Sequence, residues 1–109
     1  MSVSTVIKLD LLRSEAFGGI SGAYVAVGIP FVFPVRLICF TNNTDGDMFF
    51  SNDGVNDNLF IPSNSFKLFD VTTNRNGNSP SLCFQTYTQF YVRQSTAPTK
   101  GAVYIECLG

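Results

Sequence analysis

The residues of this chain best suited to chemistry are four aspartates in short polar stretches between apolar runs. Asp45 and Asp47 belong to "TNNTDGD", and Asp53 and Asp57 belong to "SNDGVNDN". Carboxylate oxygens are preferred ligands of Ca²⁺, so these stretches are candidate metal sites. Neither has the loop spacing of an EF-hand, and no glutamate closes either one. Because Asp and Asn also stabilise tight turns, we favour turn formation over metal binding.

Hydrolytic chemistry is the second candidate, because two nearby carboxylates such as Asp53 and Asp57 can cleave glycosidic bonds. The chain has no Trp to form a platform for a sugar, and Glu15 and Glu106 stand alone without a surrounding motif. It also has no His, which excludes Ser-His-Asp triads, Cys-His pairs and His-based metal sites. We therefore expect a protein without catalysis, cofactor or metal.

The three cysteines, Cys39, Cys83 and Cys107, are widely spaced and form neither a CxxC pair nor a zinc pattern. Each lies within an apolar run, which is typical of a buried free thiol in a strand. We predict reduced thiols without a redox role.

Charge is scarce in this chain, and this bears on its partners. Only 14% of the residues are charged and the formal net charge is −1, whereas about 25% is typical of soluble domains. We therefore expect no nucleic-acid partner, since no basic surface is available for a phosphate backbone. Neither a signal peptide nor a long apolar span is evident, so we expect no membrane partner and synthesis in a cytoplasm. A small domain with so few charges indicates a surface partly covered by other copies or partners.

The elements that must position these residues are predicted to be strands. Short apolar runs rich in Phe, Val and Ile alternate with Gly, Asn, Asp and Pro clusters every eight to twelve residues or so, which is typical of an antiparallel sandwich or barrel. We predict an all-β fold: an antiparallel β-sandwich or jelly-roll-like barrel of about eight short strands without significant helix. We assign residues 1–109 to a single domain, with 1–20 as a candidate N-terminal arm.

Several segments carry specific predictions. Residues 3–12 alternate as a strand, although 6–15 also fit a helical pattern; we favour the strand. Pro30 and Pro34 limit residues 23–34 to an edge strand or two short extended segments. Residues 35–41 are apolar on both faces, as expected of a covered strand, and "TNNTDGD" then reads as a turn cluster. "MFFS", "NLFIPS", "SFKLFDVTT", "LCFQTY", "FYVRQS" and "AVYIECLG" are the later predicted strands.

The order of turns and strand ends over residues 35–109 resembles small virion structural proteins of tailed bacteriophages. In these, a strand ending in N-T-D leads to one ending in S-x-DG, a proline step follows, and YVR and G-x-V-Y-I-E strands close the domain. The matching positions are Asn43, Thr44, Asp45, Ser51, Asp53, Gly54, Pro62, Asp70, Asn74, Tyr91, Val92, Arg93, Gly101, Val103, Tyr104 and Glu106. The resemblance implies a β-sandwich that serves as a building block of the particle on the capsid, neck or tail.

We therefore expect a virion structural protein, assembled in the host cytoplasm, whose partners are other copies of itself and other virion proteins. Two apolar segments, "SVSTVIKLDLL" and "PFVFPVRLICF", are the candidate contacts. The interface residues predicted within them are Val6, Ile7, Leu9, Phe31, Phe33 and Val35. An equal alternative is that both segments pack within their own subunit.

Two other functions remain open from the sequence. The first is a receptor- or carbohydrate-binding knob or fibre module, with Tyr24, Tyr87 and Tyr91 beside loop Asn and Asp residues. The second is a calcium-dependent or hydrolytic module that uses the loop aspartates.

Overall fold

Eight strands and one 3-10 turn form the regular structure of this computed structural model, which describes residues 9–70, 84–85 and 87–108. The 3-10 turn spans Phe17–Gly19. No helix among these residues is long and apolar enough to cross a membrane. The strands are β1 (Arg13–Ala16), β2 (Val25–Ala26), β3 (Leu37–Thr44), β4 (Met48–Ser51), β5 (Leu59–Ile61), β6 (Ser65–Asp70), β7 (Tyr91–Gln94) and β8 (Gly101–Leu108).

The strands form two antiparallel four-stranded sheets, in the orders β1-β8-β3-β6 and β2-β7-β4-β5. Strand β1 therefore pairs with β8, β2 with β7, β3 with β6 and β4 with β5. This pattern is that of one long antiparallel ribbon, folded back at the β4–β5 turn and wrapped so that its pairs alternate between the two sheets. It is the strand order of a jelly roll. The all-β prediction is confirmed.

The two sheets pack through their apolar faces. Ile38 and Phe40 of β3 point inward, as does Ile105 of β8, and all three are buried. In the other sheet, Phe50 of β4 contacts Phe40 with ring centroids 5.3 Å apart. Phe90, just before β7, contacts Phe40 with ring centroids 4.9 Å apart. The alternation expected of β8 is confirmed, since its inward residues are buried and its outward ones are half-buried or exposed.

Strand β3 is longer than predicted, because "TNNT" continues it instead of forming a turn. Asn42 and Thr44 take the inward positions that apolar residues occupy earlier in the strand, and both are buried. The Asn42 amide nitrogen donates to the carbonyls of Gly46 (2.8 Å), Ile61 (2.9 Å) and Pro62 (3.2 Å). Its oxygen accepts from the Thr44 amide and hydroxyl. A buried Asn with all these partners is compatible with a strand, so the turn starts only at Asp45.

The proline-punctuated segment connects the two sheets, and its start, β2, is an edge strand as predicted. Arg13 of β1 holds this segment in place from the opposite sheet. Its buried guanidinium donates to the carbonyls of Ile29 and Pro30 at 2.6 and 2.9 Å, and it pairs with Asp10 at 2.9 Å. Gly28 has φ 66°, and a Cβ there would lie 2.6 Å from Arg13 Cγ, so this close approach requires glycine.

The N-terminal predictions are only partly covered by the structure. Residues 1–8 lie outside the described residues, as do residues 82, 83 and 86 of "LCFQTY"; Phe84 of that segment forms a bridge to Val35. Leu9 forms a bridge to Leu108, and the regular strand begins at Arg13, where the chain pairs with its own β8. The single-domain assignment and the N-terminal arm stay predictions.

Replacing Asn42 with Ala should lower the free energy of unfolding by about 3 kcal/mol, because three carbonyls would lose a buried donor. Urea unfolding followed by circular dichroism measures this. Asn43→Ala is the matched control, since Asn43 is the next residue of β3 but lies exposed on the outer face. Equal urea midpoints for the two variants would contradict the role assigned to the Asn42 amide.

Candidate interaction surfaces

Two of the loop aspartates, Asp45 and Asp47, accept hydrogen bonds from neighbouring turns at one end of the sandwich. Asp45 Oδ1 accepts from the Thr99 amide at 2.7 Å, and its other oxygen accepts from the Thr99 hydroxyl. These bonds hold the pKa of Asp45 below its ordinary value. Asp47 Oδ1 accepts from the Ser63 amide at 3.0 Å, and the Asp47 carbonyl accepts from Ser95 and Thr96. Both carboxylates thus connect neighbouring turns.

Asp53 is a turn former, as predicted. Its Oδ1 accepts from the amides of Val55 and Asn56 at 2.8 and 2.9 Å and from the Ser51 hydroxyl at 2.6 Å. These bonds, with the Ser51 hydroxyl foremost, hold its pKa well below the usual range. Gly54 follows with φ 75°, the left-handed conformation that "NDG" favours. Among the described residues, no group of three or more His, Cys, Asp or Glu side chains is arranged to hold a metal ion.

The sequence indicates that Asp57 forms a turn. In the structure it forms an ion pair that joins the 52–58 loop to β7. Its two oxygens accept from Arg93 Nε at 2.9 Å and Arg93 Nη2 at 2.6 Å, a bidentate geometry. The Tyr24 hydroxyl also donates to Asp57. Arg93, and then Tyr24, hold the pKa of Asp57 below its ordinary value. Burial, and then the hydrogen bond to Asp57, raise the pKa of Tyr24 to about 12.

Arg93 is the centre of a polar and aromatic row on the outer face of the second sheet. Its guanidinium carbon lies 4.5 Å from the centroid of the Phe49 ring and 5.7 Å from that of Tyr24. Phe49 is opposite both Arg93 on β7 and Phe60 on β5, and the two phenyl centroids are 5.3 Å apart. The row, Tyr24–Arg93–Phe49–Phe60, therefore crosses strands β7, β4 and β5 and ends at Tyr24, just before β2. No sequence pattern indicates this row, because its members are far apart along the chain.

Three of the residues predicted as an interface lie within or against the core. Phe31 and Val35 are buried there, and Phe33 is partly buried against the same core. Leu9 is 76% exposed, whereas Val6 and Ile7 lie outside the described residues. The exposed large hydrophobic side chains of the proline-rich segment are instead Ile29 and Val32. Contact of the six predicted residues with another copy stays a prediction.

Among the described strands, the most exposed large apolar side chains belong to β6. Phe66 is 65% exposed and Leu68 is 54% exposed. The period-two pattern of "SFKLFD" predicts that both lie on one face, which is confirmed, but it does not show that this face is the outer one. Phe69, on the other face, packs against Phe40 with centroids 5.9 Å apart. Sequence alternation alone does not distinguish the core face from the solvent face when both carry Phe.

The predicted tyrosine cluster is partly assembled. Tyr24 contacts Asp57, and the Tyr91 ring lies 3.5 Å from the position of a Cβ on Gly54, so both tyrosines border the 52–58 loop. Tyr87 is 82% exposed, and its amide donates to the Phe31 carbonyl at 2.8 Å. It therefore belongs to the connection before β7.

Two remaining features offer little chemistry. Cys107 is a buried free thiol whose pKa burial raises to about 11, so it stays protonated; Cys39 is free and half-buried. Cys83 lies outside the described residues. A cavity of about 220 Å³ opens between the sheets, and its lining contains no titratable side chain. The lining residues are Phe40, Asn52, Asn58, Leu59, Phe69, Phe84 and Phe90.

Comparison of the chain with protein-family models, with curated proteins and with solved structures finds no match. Fold and surface together define its class, an all-β protein of two antiparallel four-stranded sheets in jelly-roll order.

Asp57→Asn should lower the melting temperature at neutral pH, because Asn cannot form the charged bidentate pair with Arg93. The folded pKa of Asp57 lies below its ordinary value of 3.8. The pair therefore stabilises the fold above that value, and this contribution is lost as the pH falls through the folded pKa. Melting curves from pH 7 downward should show wild type and variant converging in acid. Glu106→Gln, an exposed carboxylate on the other sheet, is the control; a gap that is independent of pH would contradict the ion-pair role.

Proposed function

We propose that this chain is a non-catalytic structural protein of a virus particle, of the kind found in tailed bacteriophages, which works by assembling with copies of itself and with other virion proteins. The observation that carries the proposal is the pairing of few charges with large exposed apolar side chains, Phe66 and Leu68 above all. A soluble monomer avoids such residues on its strands, whereas a subunit uses them in contacts.

The strand order adds a second support. Jelly rolls recur in viral capsid domains and in lectins, so the fold is suited to a particle subunit. This support is an analogy between folds, since one fold hosts many functions. The virion assignment itself rests on the resemblance of residues 35–109 to phage structural proteins.

The proposal predicts that the chain is present in purified particles in many copies. Density-gradient particles, prepared from a host that carries the coding sequence, are analysed by quantitative mass spectrometry, and the purified chain is analysed by sedimentation. We expect its peptides in the particle band and an oligomer in solution. The matched control is the same gradient fraction from a host without the coding sequence. A stable monomer that is absent from particles would overturn the proposal.

A carbohydrate-binding module of the virion is the second candidate, favoured by the exposed Tyr87 ring and by the aromatic row around Arg93. Aromatic faces beside a guanidinium offer stacking and hydrogen bonds to a sugar. The lectin use of jelly rolls agrees with this candidate.

If this second function holds, the isolated chain binds members of a glycan array, and Tyr87→Ala or Arg93→Gln weakens that binding at least about tenfold, as expected for the loss of a central contact. Phe66→Ala is the matched control, because Phe66 is an aromatic residue that is 65% exposed but lies on the other sheet. Absence of binding to every glycan would reject this function and leave the structural proposal unaffected.

A further inference from the structure

The cavity between the two sheets is lined mainly by apolar side chains. It has a volume of about 220 Å³, and five of its seven lining residues are apolar. Phe40 and Phe69 belong to the first sheet, Leu59 belongs to β5 of the second, and Phe84 and Phe90 lie before β7. All seven belong to the described part of the chain. Water inside such a cavity finds few hydrogen-bond partners, so an apolar molecule is the better occupant.

The aromatic wall of the cavity is fixed by contacts among its own rings. Phe40 packs against Phe69 with centroids 5.9 Å apart and ring planes at 78°, and against Phe90 at 4.9 Å and 74°. Phe90 in turn packs against Phe84 at 5.9 Å and 75°. Edge-to-face contacts are a favoured arrangement of aromatic pairs. The four rings therefore hold one another in place, and the cavity is formed before any ligand enters it.

Two amides complete the lining, and no charged side chain is among the seven residues. Asn52 and Asn58 lie at the two ends of the 52–58 loop, and Asn58 Oδ1 accepts from the Asn52 amide at 3.0 Å. Carboxamides both donate and accept, so these residues suit one hydrogen-bonding group of a ligand. An ionised ligand would lose its hydration without gaining a partner of opposite charge, which is unfavourable.

We propose that this cavity is a binding site for a small uncharged aromatic molecule, whose ring lies among the phenylalanines and whose polar group faces Asn52 and Asn58. A dry apolar cavity of about 150 Å³ binds benzene. A volume of about 220 Å³ therefore leaves room for a ring with a fused or short substituent. Such a site does not depend on the virion function, because it uses the space between the sheets and not the outer surfaces.

Calorimetric titration with indole tests the ligand class. Indole is uncharged and aromatic, and it carries one N–H donor. We expect saturable one-to-one binding with a Kd of about 1 mM or lower, within the range open to ligands of this size. Indole-3-carboxylate, the matched probe with the same rings and a negative charge, should bind at least about tenfold more weakly. Absence of saturable indole binding, or equal binding of the two compounds, would overturn the proposal.

A pair of matched variants tests the location. Leu59 is opposite the buried Phe50 in the β4–β5 pair, so its side chain lies on the inner face of the second sheet. Leu59→Trp should place a larger ring in the cavity and weaken indole binding at least about tenfold. Leu68→Trp is the same change on the outer face of β6, where Leu68 is 54% exposed, and it should leave the affinity unchanged. Equal indole affinities for the two variants would contradict the assigned site.

Methyl spectra of the wild-type chain test the location without any variant. Indole should shift the NMR signals of the Leu59 methyl groups, because its ring current acts on nearby protons, and it should leave those of Leu68 in place. Shifts at Leu68 without shifts at Leu59 would put the indole outside the cavity and overturn the proposal, even where binding is saturable.

Discussion

The carboxamide of Asn42 is the interaction on which the arrangement of this sandwich depends. It lies between the two sheets on β3, where it donates to carbonyls at the end of β5 and in the turn after β3. Those carbonyls belong to the opposite sheet and to the β3–β4 turn, which joins the sheets. One side chain therefore connects the two sheets at the end of the sandwich that contains this turn. Thr44, Asp45 and Asp47 extend the same network to neighbouring turns. A buried amide with so many partners specifies one register more strictly than apolar packing does.

Arg13 has a comparable function elsewhere in the fold. Its guanidinium is buried against the Phe31 ring, 5.1 Å from the centroid, and bonds to backbone carbonyls of the segment that crosses between the sheets. Removing only one partner of such a buried group is unfavourable, because the other polar groups are left without partners. The segment is thus held by polar contacts as well as by Phe31 and Val35 in the core. This explains how a stretch interrupted by Pro30 and Pro34 keeps one path.

The outer faces of the two sheets differ in chemistry. The β2-β7-β4-β5 face carries the row centred on Arg93, whose guanidinium pairs with Asp57 and lies over the Phe49 ring. The β6 edge of the other sheet carries exposed Phe66 and Leu68, and no charged residue lies between them on the same face. With only 14% charged residues in the whole chain, little else is available to keep such an edge in solution.

The sequence by itself determined the fold class, most strand positions and the turn role of Asp53, because period-two patterns and Asn, Asp and Gly clusters act over a few residues. Alternation in β8 even showed that Val103, Ile105 and Cys107 share one face. Only the tertiary structure decided that "TNNT" is strand, since the partners of Asn42 lie 4 to 20 positions further along the chain. The same is true of Asp57, whose partner Arg93 is 36 positions away. It is also true of Phe31 and Phe66, two phenylalanines in similar apolar runs, of which one is buried and the other exposed. Local pattern fixes which residues share a face, but contacts between distant segments decide which face is covered.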